Sequence, residues 1–127
     1  MLDDFKAALQ LLKQEQREKM QESKKFFVSN WGKNGFEVEL KKLKVSDMIE
    51  ADRYATYKDE SGSQIVNQDK KNIFLVIAGV EGFTLNEINL LEDNTDAGIV
   101  QELVREILLF SGFGVSLEEV LESKKKD

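Results

Sequence analysis

The chain has 127 residues, of which 41% are hydrophobic and 33% are charged. This composition is typical of a folded domain and excludes the disordered and fibrous classes of protein. Cysteine and histidine are both absent, which excludes disulfides, thiol nucleophiles, Cys/His zinc sites and catalysis by imidazole. We therefore predict a protein that is not an enzyme and that uses neither a cofactor nor a metal.

The net charge of −6 is unevenly distributed along the chain. Residues 1–71 have a balance of +1, whereas residues 72–123 carry one arginine against ten acids, a balance of −9. An acidic half repels a phosphate backbone, so we predict no nucleic-acid partner. No apolar stretch approaches the roughly 18 residues of a membrane span, and residues 1–5 lack the apolar core of a signal peptide. The expected location is therefore the cytoplasm, with no membrane partner.

The first predicted element is a helix over residues 3–25. Its apolar residues Phe5, Leu9 and Leu12 recur at steps of four and three, while polar side chains fill the other faces. The stripe thins after Leu12, and Met20 is the only apolar side chain in the rest of this helix. Two interpretations stay open: a loosely packed solvated helix, or a helix that docks on a partner protein.

A β-hairpin is predicted over about residues 26–43. Aromatic and β-branched residues precede the turn, and strict alternation of apolar and polar residues follows it. Gly35 tolerates the positive φ that a tight turn needs. Trp31, beside the turn, is either a core residue or an exposed anchor. The residues predicted to face the core are Phe36, Val38 and Leu40.

Two helices are predicted on either side of a loop. Ser46 is a favourable N-cap for the first, which continues toward Tyr57. Residues 58–69 are rich in Ser, Gly, Asp and Gln, which predicts a flexible loop. The apolar run of residues 73–78 predicts a buried helix, because a polar segment containing the potential cap Asn67 precedes it and glycine follows it.

The clearest predicted helix lies in the C-terminal half. Thr84 caps a short helical turn, and Thr95 or Asp96 then opens a helix whose apolar stripe marks it as a core element. Gly112 ends this helix. We expect Phe113 to fold back onto the core, although aromatic residues beside glycines also suit a protein-binding surface. The aromatic residues that flank this helix are Phe83, Phe110 and Phe113.

The predicted fold class is α+β. One antiparallel hairpin packs against four or five α-helices, and the C-terminal half is mainly helical. A single domain spans residues 1–127. Its subdivisions are an N-terminal helix within residues 1–25 that is loosely packed in one interpretation, the flexible loop 58–69 and a charged tail, residues 123–127.

Three segments together have the order and composition of a known family. They are the aromatic hairpin of residues 26–43, residues 74–80 followed by residues 83–86, and residues 103–108 running into residues 111–113. Over about residues 24–115, the chain resembles the small tail assembly chaperones of long-tailed phages and phage-like prophage elements, particularly those of Gram-positive hosts. These patterns are helix-and-turn patterns and contain no catalytic motif.

The resemblance implies a non-enzymatic role in tail assembly. Such a chaperone coats the tape-measure protein, recruits tail-tube subunits and leaves as the tube polymerises in the bacterial host cytoplasm. A coat needs many copies, whether or not they associate without the client, so monomer and homo-oligomer both stay open. The residues predicted to bind protein partners are Phe5, Leu9, Leu12, Met20, Trp31, Phe83, Phe110 and Phe113.

An alternative function follows from the charge. A small acidic regulatory module, such as a protein inhibitor, could use the acids of residues 72–123 to imitate nucleic acid. Ordinary solubility also requires acids on helix faces that point away from a core. The alternative therefore predicts salt-sensitive binding to a DNA-handling enzyme.

Overall fold

The computed structural model describes residues 2–113, and the predicted charged tail, residues 123–127, lies outside them. The described part contains five α-helices and two antiparallel β-hairpins, which confirms the α+β class and the helical C-terminal half. In chain order the elements are α1 (Leu2–Met20), β1 (Ser23–Val28), β2 (Phe36–Lys41), α2 (Val45–Ala55), β3 (Thr56–Lys58), β4 (Gln64–Val66), α3 (Gln68–Gly79), a 3₁₀ turn (Leu85–Glu87), α4 (Ile88–Asp93) and α5 (Ala97–Phe110).

The first hairpin begins earlier than the sequence pattern predicts. Helix α1 ends at Met20 instead of continuing through residue 25, and Ser23 already pairs with Lys41 across the β1–β2 ladder. Residues 23–25 carry no apolar stripe that would hold them in a helix, whereas the ladder satisfies their backbone hydrogen bonds. The predicted helix is therefore too long at its C-terminal end.

The prediction that the inner face of β2 is buried is wrong for one residue, Phe36. Val38 and Leu40 are buried, as the alternation predicts, but 53% of the surface of Phe36 is exposed. Phe36 is the first residue of β2, opposite Val28 at the end of the ladder, and its ring packs against Trp31. Val28 on the same ladder step is fully buried, so alternation predicts the face on which Phe36 lies but not how far neighbouring elements cover it.

The cap of α2 differs from the prediction. The helix starts at Val45, and the carboxylate of Asp47 accepts a hydrogen bond from the backbone N–H of Lys44 at 2.8 Å. Ser46 therefore lies inside the first turn and does not cap the helix. The carboxylate of Asp47 provides the cap instead, and its negative charge is also favourable at the helix N-terminus.

The predicted loop over residues 58–69 is partly wrong. Strands β3 and β4 form a second short hairpin there. The carboxylate of Asp59 accepts hydrogen bonds from the N–H groups of Ser61 and Ser63, at 2.9 and 3.0 Å, and Gly62 has a φ of +85°. This Asx turn explains why a segment of polar turn residues closes into a hairpin.

The core lies between the first hairpin and helices α2 to α5. Asn67 caps α3 as predicted, because its side-chain oxygen accepts from the N–H of Lys70 at 3.1 Å. The end of α3 joins the hairpin through a bridge between Leu40 and Val80. The largest fully buried side chains are Leu40, Leu91, Leu103, Ile107, Val28, Val76 and Val80. Within residues 2–113, no helix is both long and apolar enough to cross a membrane.

Candidate protein-binding surfaces

Helix α1 presents an apolar stripe that the rest of the described chain does not cover. None of its residues is buried, and the exposed fractions are 64% at Phe5 and 56% at Leu12. Leu2, which the sequence analysis did not single out, extends the stripe by one step of three residues. The resulting spacing of three, four and three is that of a short coiled-coil seam. We call Leu2, Phe5, Leu9 and Leu12 the α1 stripe.

Charges at the two ends of α1 explain how a helix with so little packing forms. Asp3 and Asp4 lie in its first turn, and Arg17 and Lys19 lie in its last turn. Acids at the N-terminus and cations at the C-terminus interact favourably with the helix dipole. Met20 lies where α1 ends and is half-buried, so it belongs to the junction with the domain and not to the α1 stripe.

Trp31 and Phe83 come together at a second surface. The ring of Trp31 meets the rings of Phe36 and Phe83 edge to face, with centroid distances of 5.6 and 5.9 Å. These rings form one wall of an open cleft of about 350 Å³, here called the aromatic cleft. Its lining includes Trp31, Gly35, Phe36, Phe83, Leu90 and Asn94.

Local geometry in the β1–β2 turn positions the aromatic cleft. Gly35 has a φ of +81° and lies beneath the ring of Phe27. A Cβ atom at this position would lie 2.9 Å from two ring carbons of Phe27, and the positive φ also favours glycine. On the opposite side, the N–H of Asn86 donates to the hydroxyl of Thr84 at 3.2 Å. The predicted cap at Thr84 is thereby confirmed, and it starts the helical segment that presents Leu90 to the cleft.

Four glutamate residues line a groove that adjoins the aromatic cleft. The groove has a volume of about 360 Å³ and shares Phe36 and Phe83 with the cleft. We call it the glutamate groove. The ion pairs within residues 2–113 involve other carboxylates. The acids that line the groove are Glu37, Glu39, Glu81 and Glu87.

Thr84 hydrogen-bonds the carboxylate of Glu87. The backbone N–H of Thr84 donates to its carboxylate at 2.7 Å and the hydroxyl of Thr84 donates at 2.9 Å, and these bonds lower the pKa of Glu87 below its usual value. Because the pKa is lower in the folded state than in the unfolded state, the ionised carboxylate stabilises the fold above the unfolded pKa. This contribution is lost as the pH falls through the folded pKa.

We expect Thr84→Ala to raise the pKa of Glu87 toward its usual value without restoring it fully. The substitution removes the hydroxyl donor and keeps the backbone N–H, which is the larger cause of the shift. NMR titration of the side-chain carboxyl carbon measures the change. Thr95→Ala is a matched control, because the hydroxyl of Thr95 donates to the carbonyl of Leu90 and to no carboxylate. An unchanged pKa in Thr84→Ala would contradict the hydrogen bonding described here.

The remaining two predicted aromatic residues lie at the end of α5. Phe110 is half-buried against the core, and the Nζ of Lys42 lies 5.1 Å from its ring centroid. The expectation that Phe113 folds back onto the core is wrong, because 44% of its surface is exposed. Gly112, with a φ of +93°, ends α5 in a Schellman motif in which the N–H of Phe113 donates to the carbonyl of Leu108 at 2.8 Å.

The structure thus divides the predicted residues into separate surfaces. Phe5, Leu9 and Leu12 lie on α1, and Trp31 and Phe83 line the aromatic cleft. Sequence reasoning missed the contributions of Phe36 and Leu90 to that cleft. The exposure of Phe36 depends on its place at the strand end. Leu90 lies in a six-residue helix, which is too short for a period to separate it from buried Leu91.

Comparisons with protein-family models, with curated proteins and with solved structures find no match to this chain. Within residues 2–113, no three Asp or Glu residues converge as ligands for a metal ion. The two surfaces offer uncovered apolar area and, beside the aromatic cleft, four glutamate residues. Contiguous exposed apolar area is a common feature of protein-interaction sites.

Proposed function

We propose that this protein is a non-enzymatic tail assembly chaperone of a long-tailed phage or a phage-like prophage element. It binds the tape-measure protein and recruits tail-tube subunits in the cytoplasm of the bacterial host. The observation that carries the proposal is the uncovered α1 stripe. The resemblance of residues 24–115 to tail assembly chaperones supports it from the sequence.

The energetics of the α1 stripe suit a helical client. Burying each large apolar side chain contributes about 1.5–3 kcal/mol, and the spacing of the stripe matches an apolar seam on a second helix. In the proposed function, that second helix belongs to the tape-measure protein, which exposes an apolar helical stripe before assembly. The chaperone covers the stripe and so prevents aggregation.

The short length of the α1 stripe suits release of the client protein. The seam occupies only the first half of α1, from Leu2 to Leu12, so the contact is small compared with stable interfaces. Helix α1 also contributes no buried residue to the core. Binding and dissociation of the client therefore leave the domain intact, as a chaperone displaced by the growing tube requires.

The test is binding of an apolar helical segment of a phage tape-measure protein. We expect the double variant Leu9→Ser/Leu12→Ser to bind about a hundredfold more weakly, because it loses at least about 3 kcal/mol of apolar burial. Fluorescence anisotropy of the labelled segment measures affinity. Urea unfolding of the variant should match that of the parent protein.

A matched control lies on α2. Val45 and Ile49 are two exposed apolar residues one helical turn apart on α2, and they match the two leucines of the test variant in number and apolar character. We expect Val45→Ser/Ile49→Ser to bind the segment with unchanged affinity. Equal binding by the α1 variant and the parent protein would refute the proposed role of α1.

A second candidate function is the small acidic regulatory module. The four glutamates that share one groove favour it, because clustered carboxylates can imitate a phosphate backbone. This function predicts binding to a DNA-handling enzyme that weakens steeply with salt. It also predicts that Leu9→Ser/Leu12→Ser leaves the affinity for that enzyme unchanged. A pull-down from induced or infected cells distinguishes the two, since the chaperone captures a long helical protein and a tail-tube subunit.

A further inference from the structure

We infer that the aromatic cleft and the glutamate groove form one further binding site, separate from α1. Its ligand is a segment of a partner protein that carries a large apolar side chain beside lysine or arginine residues. This inference does not depend on the tail assembly function. It rests on the shape of the cleft, on the carboxylates next to it and on their common boundary at Phe36 and Phe83.

The aromatic cleft is preformed for an apolar side chain. Trp31 and Phe83 pack against the core on one side and line the cleft on the other. Their edge-to-face contacts hold the rings without filling the opening. A volume of about 350 Å³ is at the lower end for ligand pockets, which suits one large side chain. Binding there costs little reorganisation, because the wall is already ordered by the core.

The glutamate groove determines the charge of the ligand. Four glutamates line it, and no Lys or Arg is among the described residues that line either opening. The carboxylate of Glu87 accepts hydrogen bonds from the backbone N–H and the hydroxyl of Thr84. An apolar anchor in the cleft would place its neighbouring residues over these carboxylates, so cations at those positions are attracted and acids are repelled.

Trp31 makes this site directly observable. It is the only tryptophan in the chain, so fluorescence excited at wavelengths that tyrosine does not absorb reports on the aromatic cleft alone. The probe is a synthetic peptide with one phenylalanine flanked by lysines and no tryptophan. We expect a saturable change in Trp31 emission on titration of the full chain with this peptide. Peptides with alanine for the phenylalanine, or glutamates for the lysines, should bind at least about tenfold more weakly.

Two variants of the chain test the two halves of the site. Leu90→Ser alters the cleft wall, and Leu85→Ser is its control, because Leu85 is exposed nearby and lines a different cavity. The double variant Glu37→Lys/Glu81→Lys reverses charges in the groove. Its control, Glu60→Lys/Glu102→Lys, makes the same change in net charge at exposed positions elsewhere. We expect losses of about tenfold in the test variants and less than about twofold in the controls.

Several results would overturn the inference. One is binding that leaves Trp31 emission unchanged, and another is equal weakening by the two charge variants. Equal affinity for the phenylalanine and alanine peptides would also exclude an apolar anchor. If Trp31 emission instead changes with the concentration of the protein alone, the occupant is a second copy of this chain. Leu9→Ser/Leu12→Ser should bind the peptide with the affinity of the parent protein. Failure of the peptide-binding inference is therefore distinguishable from failure of the proposed α1 function.

Discussion

Leu103→Ala is expected to lower the free energy of unfolding by about 2–5 kcal/mol. Leu103 lies on α5 and is fully buried in the core cluster that joins the hairpin to the helices. Truncation removes apolar contacts and leaves a cavity that a close-packed core only partly closes. Urea denaturation followed by circular dichroism measures the loss.

Leu12→Ala is the informative comparison for this prediction. Leu12 is the same residue type, also on a helix, but 56% of its surface is exposed. We expect a change within about 0.5 kcal/mol, as is usual for surface substitutions. A loss as large as that of Leu103→Ala would mean that α1 is packed on the domain. The α1 stripe would then be part of the core and could not serve as the binding surface of a chaperone.

Gly79→Ala is expected to destabilise the protein by about 1–2 kcal/mol, although alanine is the better helix former. Gly79 is the last residue of α3, where that helix packs against Ile107 of α5. A Cβ at residue 79 would lie 2.8 and 2.9 Å from the Cδ1 and Cγ1 atoms of Ile107. The two helices must move apart or Ile107 must leave its rotamer, and both changes cost more than the gain in helix propensity.

Gly98→Ala provides the control for helix propensity. Gly98 is in the first turn of α5, and a Cβ there would meet no atom within 4 Å. We expect this substitution to stabilise the protein by up to about 1 kcal/mol. A double-mutant cycle of Gly79→Ala with Ile107→Ala should show favourable coupling, because the new methyl group enters the space that Ile107 leaves. Destabilisation by both glycine substitutions alike would contradict the close approach.

Gly79 illustrates what a sequence pattern omits. A glycine after the apolar run predicts the end of a helix, and α3 does end at Gly79. Its second role, the close approach of Ile107, depends on which residue of a distant helix faces it. Phe36 is similar, because alternation places it on the inner face while the end of the ladder and Trp31 determine its exposure. Local patterns contain no information about such partners.

The amino-acid sequence by itself determined the type of most elements, because periodicity and caps act within a few residues. The apolar stripe of α5 and the caps at Asn67 and Thr84 are examples. Only the tertiary structure decided where β1 begins, that residues 58–69 contain a hairpin, and that Phe36 and Phe83 line one cleft. Each of these depends on hydrogen bonds or packing that only the folded chain supplies. The candidate binding surfaces are of this kind, since exposure is a property of the whole fold.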